Sequence, residues 1–180
     1  MILITGKSTL AEALSKRFND CIIVGKPEYD FSNKEDCSRL FNDYPSPKIL
    51  INTFATLVDD PWESLLTNFV APVYITNQYY NNLTKGQIIN ISSTSAWWSS
   101  YPNIPENRFY YNLSKFNLSE FGRQFNRSTV DKNKDIILTT IEIGRFESKL
   151  SNFSGTNIDK IVRTVECAIE NKLNWVSTIK

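Results

Sequence analysis

A tyrosine and a lysine four residues apart are the side chains of this sequence best suited to acid–base chemistry. Tyr111 and Lys115 lie in a segment with a helical pattern, and their spacing places them on one face of a helix. A free tyrosine titrates at about pH 10, and a neighbouring ammonium lowers its pKa by favouring the phenolate. The pair therefore predicts a general acid or base. The same spacing also fits a packed tyrosine beside a solvated lysine.

Hydroxyl side chains precede this pair in the chain, whereas histidine is absent altogether. Ser92 and Ser93 end an apolar segment, and a hydroxyl there could donate a hydrogen bond to a substrate oxygen that Tyr111 also reaches. Serine is also a common turn former at such positions. The missing histidine excludes Ser-His and Cys-His nucleophilic sites and removes the commonest metal ligand, so no metal site is predicted.

A glycine turn follows the first apolar segment. Thr5 and Gly6 lead into Lys7 and Ser8, and a helical pattern follows. A strand, a glycine turn and a helix N-terminus together predict an anion site that suits a pyrophosphate. The alternative, a nucleotide triphosphatase loop ending in Gly-Lys-Ser, requires a glycine five residues before Gly6, and the sequence has none there.

Strand and helix patterns alternate along the chain. The predicted strands are Ile2 to Ile4, Cys21 to Val24, Ile49 to Ile51, Ile88 to Ile91, Ile136 to Ile141 and Trp175 to Ile179. The predicted helices are Ser8 to Phe18, Lys34 to Phe41, Trp62 to Asn81, Arg108 to Arg127 and Ile158 to Leu173. This alternation predicts an α/β fold with a doubly wound, mostly parallel sheet between two helical layers. Its ligand should bind beyond the carboxyl ends of the strands, at the switch point.

Composition narrows the function class. The 180 residues are 41% hydrophobic and carry a net charge of +1, which favours one globular domain over residues 1–180. Neither charge sign is concentrated, so we expect a small-molecule partner and neither nucleic acid nor membrane. Three well-separated cysteines and the lack of a signal-like or membrane-spanning apolar run predict a cytoplasmic protein.

These motifs, in their order along nearly the whole chain, resemble the short-chain dehydrogenase/reductase family. The resemblance rests on Thr5-Gly6, Ile51 to Ala55, Asn68, Ile91 to Ser93, Tyr111 to Lys115 and Ile143-Gly144. It implies a Rossmann-like, three-layer fold and an enzyme that transfers hydride between a nicotinamide cofactor and a small carbonyl or alcohol. Only one glycine remains in the first turn, and only Asn52 remains of the usual Asn-Asn-Ala-Gly segment.

The resemblance also implies roles for individual residues. Tyr111 is the acid–base residue, Lys115 lowers its pKa and holds the cofactor ribose, and Ser93 orients the substrate oxygen. Asn68 positions a proton-relay water through the helix backbone. Ser92 and Ser95 remain alternatives to Ser93. Besides Tyr111 and Lys115, the implied cofactor-binding residues are Thr5, Gly6, Lys7, Ser8, Thr9, Leu10, Lys26, Asp30, Asn52, Thr53, Phe54, Ala55, Ile143, Gly144 and Ser148.

Charge near the predicted ribose site favours NADP over NAD. The second strand ends in Val24-Gly25-Lys26 instead of the acidic residue that binds a ribose 2′-hydroxyl, and the glycine turn carries Lys7. Positive charge at this place suits a 2′-phosphate. Asp30 resembles the family residue that lies beside the adenine.

The chain is short for this family. The connection from Val24 to Tyr29 has no room for a crossover helix, so the family's second and third strands cannot be joined in the ordinary way. We therefore expect this edge of the sheet and the C-terminal part to be abbreviated. The resemblance implies a homodimer or homotetramer through the helices Trp62 to Asn81 and Arg108 to Arg127. A non-catalytic NAD(P)-binding sensor or interaction module on the same fold is the alternative function.

Overall fold

The computed structural model describes residues 1–96, 106–128, 134–148 and 155–177. Six strands form one sheet in these residues: β1 (Ile2–Thr5), β2 (Cys21–Val24), β3 (Ile49–Asn52), β4 (Lys85–Ser93), β5 (Asp135–Ile143) and β6 (Trp175–Ser177). The helices are α1 (Thr9–Arg17), α2 (Lys34–Asp43), α3 (Pro61–Leu65), α4 (Ala71–Asn82), α5 (Glu106–Ser128) and α6 (Ile158–Glu170). Every predicted strand and helix is present.

All neighbouring strands in the sheet are parallel, in the order β2-β1-β3-β4-β5-β6. The chain therefore runs from β1 to β2 on one side and then crosses to β3 on the other side of β1. The switch point lies between β1 and β3, and their carboxyl ends open a crevice there. The predicted α/β doubly wound sheet is confirmed.

Helices cover both faces of the sheet, which explains why its strands are mostly apolar. On one face, α2, α4 and α5 pack around a core that includes Leu3, Leu50 and Tyr79. On the other face, α1 and α6 pack around a core that includes Ile4 and Ile141. The predicted three-layer architecture is confirmed.

Side-chain caps begin four of the helices. Ser8, Asn33, Asp60 and Asn157 each precede a helix and accept a hydrogen bond from a backbone N–H of its first turn, at 3.1, 2.8, 2.7 and 2.8 Å. These caps satisfy N–H groups that have no partner inside the helix. The helix starts are therefore set by short polar residues that can be read from the sequence.

The predicted helix from Trp62 to Asn81 is interrupted by a π-helical turn, Leu66–Val70. There the backbone N–H of Ala71 donates to the carbonyl of Leu66, five residues earlier. Pro72 follows in the first turn of α4, where its missing N–H is tolerated. Such turns are often found at functional sites, and Asn68 lies in the middle of this one.

The predicted abbreviation of this edge of the sheet is confirmed, and the structure shows how β2 is connected to β3 without the strand that was expected to be missing. Tyr29 to Phe31 form no strand, so β2 is the edge of the sheet. After a loop, α2 returns the chain directly to β3. Within the described residues, no helix combines the length and apolar character that crossing a bilayer requires.

Candidate active site and cofactor cavity

The turn after β1 requires glycine. Gly6 has a φ of +95°, which L-amino acids with a side chain rarely adopt. A Cβ atom at this position would also lie 2.7 Å from the Cα atom of Phe54. Gly6 donates its N–H to the carbonyl of Val24 at 2.7 Å, so the turn is held between β2 and the segment that follows β3.

Two hydroxyl side chains join this turn to the segment after β3. Thr53 Oγ1 lies 2.8 Å from the carbonyl oxygen of Thr5 and 3.0 Å from Ser8 Oγ. Ser8 also caps α1, so the first turn of that helix faces the carboxyl edge of the sheet. The Leu10 side chain is buried in the core, which leaves its backbone as the part that can contact a ligand.

A buried polar network fixes the strand ends. Thr5 Oγ1 donates to Asn52 Oδ1 at 2.8 Å, and Asn52 Nδ2 donates to Asn90 Oδ1 at 2.7 Å. Asn90 Nδ2 in turn donates to Thr76 Oγ1 at 3.1 Å. The Asn52 amide therefore bonds within the protein, and its role is to hold β1, β3 and β4 in register. Sequence reasoning missed Asn90 and Thr76, although an asparagine inside an isoleucine-rich strand is a recognisable signal.

A cavity of about 310 Å³ lies at the switch point. Its lining includes seven of the predicted cofactor residues: Gly6, Lys7, Ser8, Lys26, Asp30, Phe54 and Ala55. The Phe31 and Phe54 rings stack with centroids 4.4 Å apart and both line it. Two lysines and an aromatic wall in one cavity fit the phosphate and base of a nucleotide.

Both lysines of the cavity are paired with carboxylates. Lys7 Nζ lies 2.5 Å from Glu28 Oε2, and Lys26 Nζ lies 2.9 Å from Asp30 Oδ2. The hydrogen bond from Lys7 lowers the pKa of Glu28, and the one to Asp30 raises the pKa of Lys26. The positive charge of both lysines is therefore balanced by a neighbouring carboxylate. Lys26 and Asp30 are only four residues apart, whereas Lys7 and Glu28 are 21 residues apart, so sequence spacing does not reveal their pairing.

Asn68 connects the π-helical turn to the loop after β3. It is fully buried, and its Oδ1 accepts from the Thr56 N–H at 2.8 Å while its Nδ2 donates to the Thr56 carbonyl at 3.0 Å. Nδ2 also lies 3.2 Å from Ser64 Oγ. Because the amide is occupied in this way, Asn68 positions backbone, and its side chain is not aimed at a ligand.

At the end of β4, the structure separates the three candidate serines. Ser92 Oγ donates to the carbonyl of Lys115 at 2.9 Å and contacts Ser119 Oγ at 2.8 Å, so it faces α5. Ser93 Oγ is hydrogen-bonded to the Tyr111 side chain. It also lies 2.8 Å from Ser95 Oγ. Ser93 and Tyr111 thus converge, and Ser95 adjoins them.

Tyr111 and Lys115 lie on one face of α5, as their spacing predicts. Lys115 Nζ is 5.9 Å from the centroid of the Tyr111 ring and donates to the Ile91 carbonyl at 2.9 Å. Burial raises the pKa of Tyr111, against the lowering effects of the Ser93 hydrogen bond and the Arg108 charge. Burial also lowers the pKa of Lys115 to about 8. The lysine is therefore poised to change charge just above neutrality.

Of the remaining predicted residues, Thr9 begins α1, and three others lie at or shortly after the end of β5. Ile143 is buried in the core, Gly144 follows it, and Ser148 is buried. A bridge between Phe146 and Thr156 closes this segment. None of the three lines the switch-point cavity. Trp97 and Trp98 lie outside the described residues.

Comparisons with known proteins identify the fold through structure alone. No protein-family model matches the chain, and no curated protein matches it. Solved structures match over nearly all of it. A short-chain dehydrogenase from Burkholderia cenocepacia in complex with NADP has a TM-score of 0.81 at 14% identity and covers 99% of this chain and 88% of its own.

Two further solved structures agree. A serine dehydrogenase complexed with NADP+ has a TM-score of 0.82 at 17% identity over 100% of this chain and 95% of its own. A 3-alpha-hydroxysteroid dehydrogenase from Pseudomonas sp. complexed with NADH has a TM-score of 0.77 at 14% identity over 98% and 93%. The likeness therefore extends over the whole sheet and both helical layers.

Proposed function

We propose that this chain, which has the fold of the short-chain dehydrogenases/reductases, is an NAD(P)-dependent oxidoreductase formed by one Rossmann-type domain. It transfers hydride between the nicotinamide and a small carbonyl or alcohol. The observation that carries the proposal is the convergence of Ser93, Tyr111 and Lys115 at the end of β4. This group lies on the same edge of the sheet as the nucleotide-sized cavity.

The Gly6 turn and the cavity fit a dinucleotide. A Cβ atom at Gly6 would fill the space against Phe54, and the first turn of α1 provides backbone N–H groups for a pyrophosphate. We assign the phosphates to the turn from Gly6 to Leu10 and the adenosine to the wall that includes Phe54 and Asp30. When bound, the cofactor supplies the hydride chemistry.

Protein groups then supply orientation and the proton. Ser93 donates a hydrogen bond to the substrate oxygen, and Tyr111 exchanges a proton with it. Burial raises the pKa of Tyr111, so the phenol is protonated at neutral pH. That is the form needed to protonate a new alkoxide in the reductive direction. Lys115 adds positive charge beside the phenol and is the residue we assign to the ribose, while Asn68 positions the backbone that holds a relay water.

Replacing Tyr111 by phenylalanine tests the proposal against the sensor alternative. We expect Tyr111→Phe to lower turnover of an aldehyde and ketone panel with NADPH by about 10²–10⁴-fold, because the proton donor is lost. NADPH binding should persist, since the ring is retained. Tyr110→Phe makes the same change one residue earlier and should leave turnover intact. If the parent chain binds NADPH but turns over no carbonyl in the panel, the sensor is favoured.

We also propose that the chain prefers NADP over NAD, because Lys7 and Lys26 line the cavity. The solved structures with NADP and NADP+ are consistent with this preference, and the NADH complex shows that the fold also accepts NAD. Titration with NADPH and NADH, followed by nicotinamide fluorescence and melting temperature, measures it. We expect tighter binding of NADPH, and failure to bind either cofactor would contradict the enzymatic proposal.

We propose a homodimer through α3, α4 and α5, in the cytoplasm. Five large apolar side chains of these helices and the π-helical turn are exposed: Trp62, Val70, Phe109, Leu113 and Phe116. Exposed apolar patches of this kind mark interfaces. Tyr79, an aromatic residue of the predicted Trp62 to Asn81 helix, is fully buried and belongs to the core. The free state of all three cysteines fits a reducing compartment.

A further inference from the structure

The loop after β2 places the Glu28 carboxylate in contact with Lys7, one of the two lysines that line the cavity. Glu28 Oε2 lies 2.5 Å from Lys7 Nζ, although the two residues are 21 positions apart. The glycine turn and this loop touch as well, since a Cβ atom at Gly25 would lie 2.9 Å from the backbone nitrogen of Lys7. The ion pair therefore spans the contact between the two segments.

The backbone of Glu28 is held while its side chain remains exposed. Its N–H donates to the Gly25 carbonyl at 3.1 Å, and its carbonyl accepts from Arg39. The Glu28 side chain is 59% exposed, and that of Lys7 is 42% exposed. The carboxylate is thus anchored beside the cavity and can still turn away from Lys7 at small cost, because exposed ion pairs are weak.

The second pair of the cavity is less free to open. The Asp30 carboxylate, besides contacting Lys26, accepts from the backbone N–H and the hydroxyl of Ser32 at 3.0 and 2.7 Å. Asp30 is therefore part of the loop structure. A ligand can therefore bind Lys7 in place of Glu28 without breaking the hydrogen bonds that hold the loop, whereas Asp30 is one of the residues that make them.

The ammonium and the carboxylate of the Lys7–Glu28 pair bind different groups of a cofactor. An ammonium binds a phosphate, whereas a carboxylate accepts hydrogen bonds from ribose hydroxyls. A 2′-phosphate that binds Lys7 competes with Glu28 for the same ammonium and is repelled by the neighbouring carboxylate. A 2′-hydroxyl can donate to Glu28 without disturbing the pair.

We infer that Glu28 is the residue that sets cofactor choice in this chain, by competing with the 2′-phosphate of NADP for Lys7. The inference rests on the proposed function. Lys7 and Lys26 alone would give a strong preference for NADP, and Glu28 weakens that preference. NAD can therefore still bind at this site.

Titration of Glu28→Gln with NADPH and NADH tests the assignment. Removing the carboxylate charge frees Lys7, so we expect the ratio of NADPH to NADH affinity to rise by about fivefold at low salt, the size typical of an exposed ion pair. The gain should shrink as salt is added. Glu170→Gln, which makes the same change at an exposed position in the last turn of α6, should leave the ratio unchanged. Lys7→Gln should lower the ratio.

The possible results separate this inference from the proposed function. If both cofactors bind but the ratio is the same in Glu28→Gln as in Glu170→Gln, the role of Glu28 is wrong and the oxidoreductase proposal stands. If Glu28→Gln weakens NADPH binding, the competition is likewise contradicted. If neither the parent chain nor any variant binds either cofactor, the proposed function and the role of Glu28 are both overturned.

Discussion

Lys115 is an ammonium placed where a charge is costly. Its side chain is 3% exposed and donates to the Ile91 carbonyl. Among the described residues it makes no ion pair with a carboxylate, so burial lowers its pKa to about 8. A charge next to Tyr111 is what the proposed chemistry requires. The residue therefore serves the site at the expense of stability.

This cost predicts a pH dependence of folding. The folded chain releases the Lys115 proton at a pKa of about 8, whereas the unfolded chain holds it to 10.5. Between these values the unfolded chain binds more protons, so the free energy of unfolding rises with pH, by at most about 3 kcal/mol. Urea unfolding of the parent chain and Lys115→Met, from about pH 7 to 9.5, measures it.

The control for this experiment is Lys16→Met, which removes an exposed lysine from α1. That variant should keep the rise with pH, whereas Lys115→Met should lose it. Parallel pH curves for the parent chain and Lys115→Met would contradict the assignment. Above about pH 10 the raised pKa of Tyr111 acts in the opposite direction, because the folded chain then holds a proton that the unfolded chain has lost.

At the scale of elements, the position of α5 decides whether Tyr111 and Lys115 reach the end of β4. The helix approaches the sheet closely at Gly122, where an added Cβ atom would overlap the hydroxyl of Thr140 on β5. That hydroxyl is buried and has no hydrogen-bond partner within the described part of the chain. The lack of a side chain at Gly122 is therefore what permits this contact.

Gly122→Ala should force α5 away from β5. We expect a loss of about 1–3 kcal/mol in the free energy of unfolding, which is typical of overpacking, together with reduced turnover as Tyr111 moves. Thr140→Ala removes the overlapping hydroxyl, so the double variant should be more stable than the sum of the single effects predicts. Strict additivity in urea unfolding would show that the two residues do not clash.

At the scale of the molecule, the large apolar side chains that are exposed among the described residues lie on α3, the π-helical turn and α5. Phe109, Leu113 and Phe116 follow helical spacing on α5, while Trp62 and Val70 belong to the segment of α3 and the π-helical turn. Both segments contact each other in the structure. The exposed apolar side chains therefore lie on two neighbouring helical segments, and we propose that these form the isologous dimer contact.

Charge on this surface should dissociate the proposed dimer. We expect the parent chain to sediment as a dimer and the double variant Val70→Asp with Phe116→Asp to sediment as a monomer, because two carboxylates would be buried without partners. Lys160→Asp, on α6 in the opposite helical layer, should remain dimeric. A monomeric parent chain at micromolar concentration would contradict the proposed assembly.

The sequence alone predicted the strands and helices of the described residues, although it missed the π-helical turn Leu66–Val70. It also predicted the pairing of Tyr111 with Lys115. These features depend on local physics: apolar periodicity, the short polar caps before the helices, and the four-residue spacing along one helical turn. The resemblance added Ser93, Asn68 and the order of the motifs. The expectation that one edge of the sheet is abbreviated also came from counting residues between Val24 and Tyr29.

Only the tertiary structure decided which of the candidate serines meets Tyr111, that Asn52 bonds within a buried network, and that β2 is the edge strand. It also showed Tyr79 to be core and paired Lys7 with Glu28. Each of these outcomes depends on which segments distant in the chain meet across the sheet. Because a side chain's partners and exposure are set by such contacts, residue type and spacing could name the candidates but could not place them.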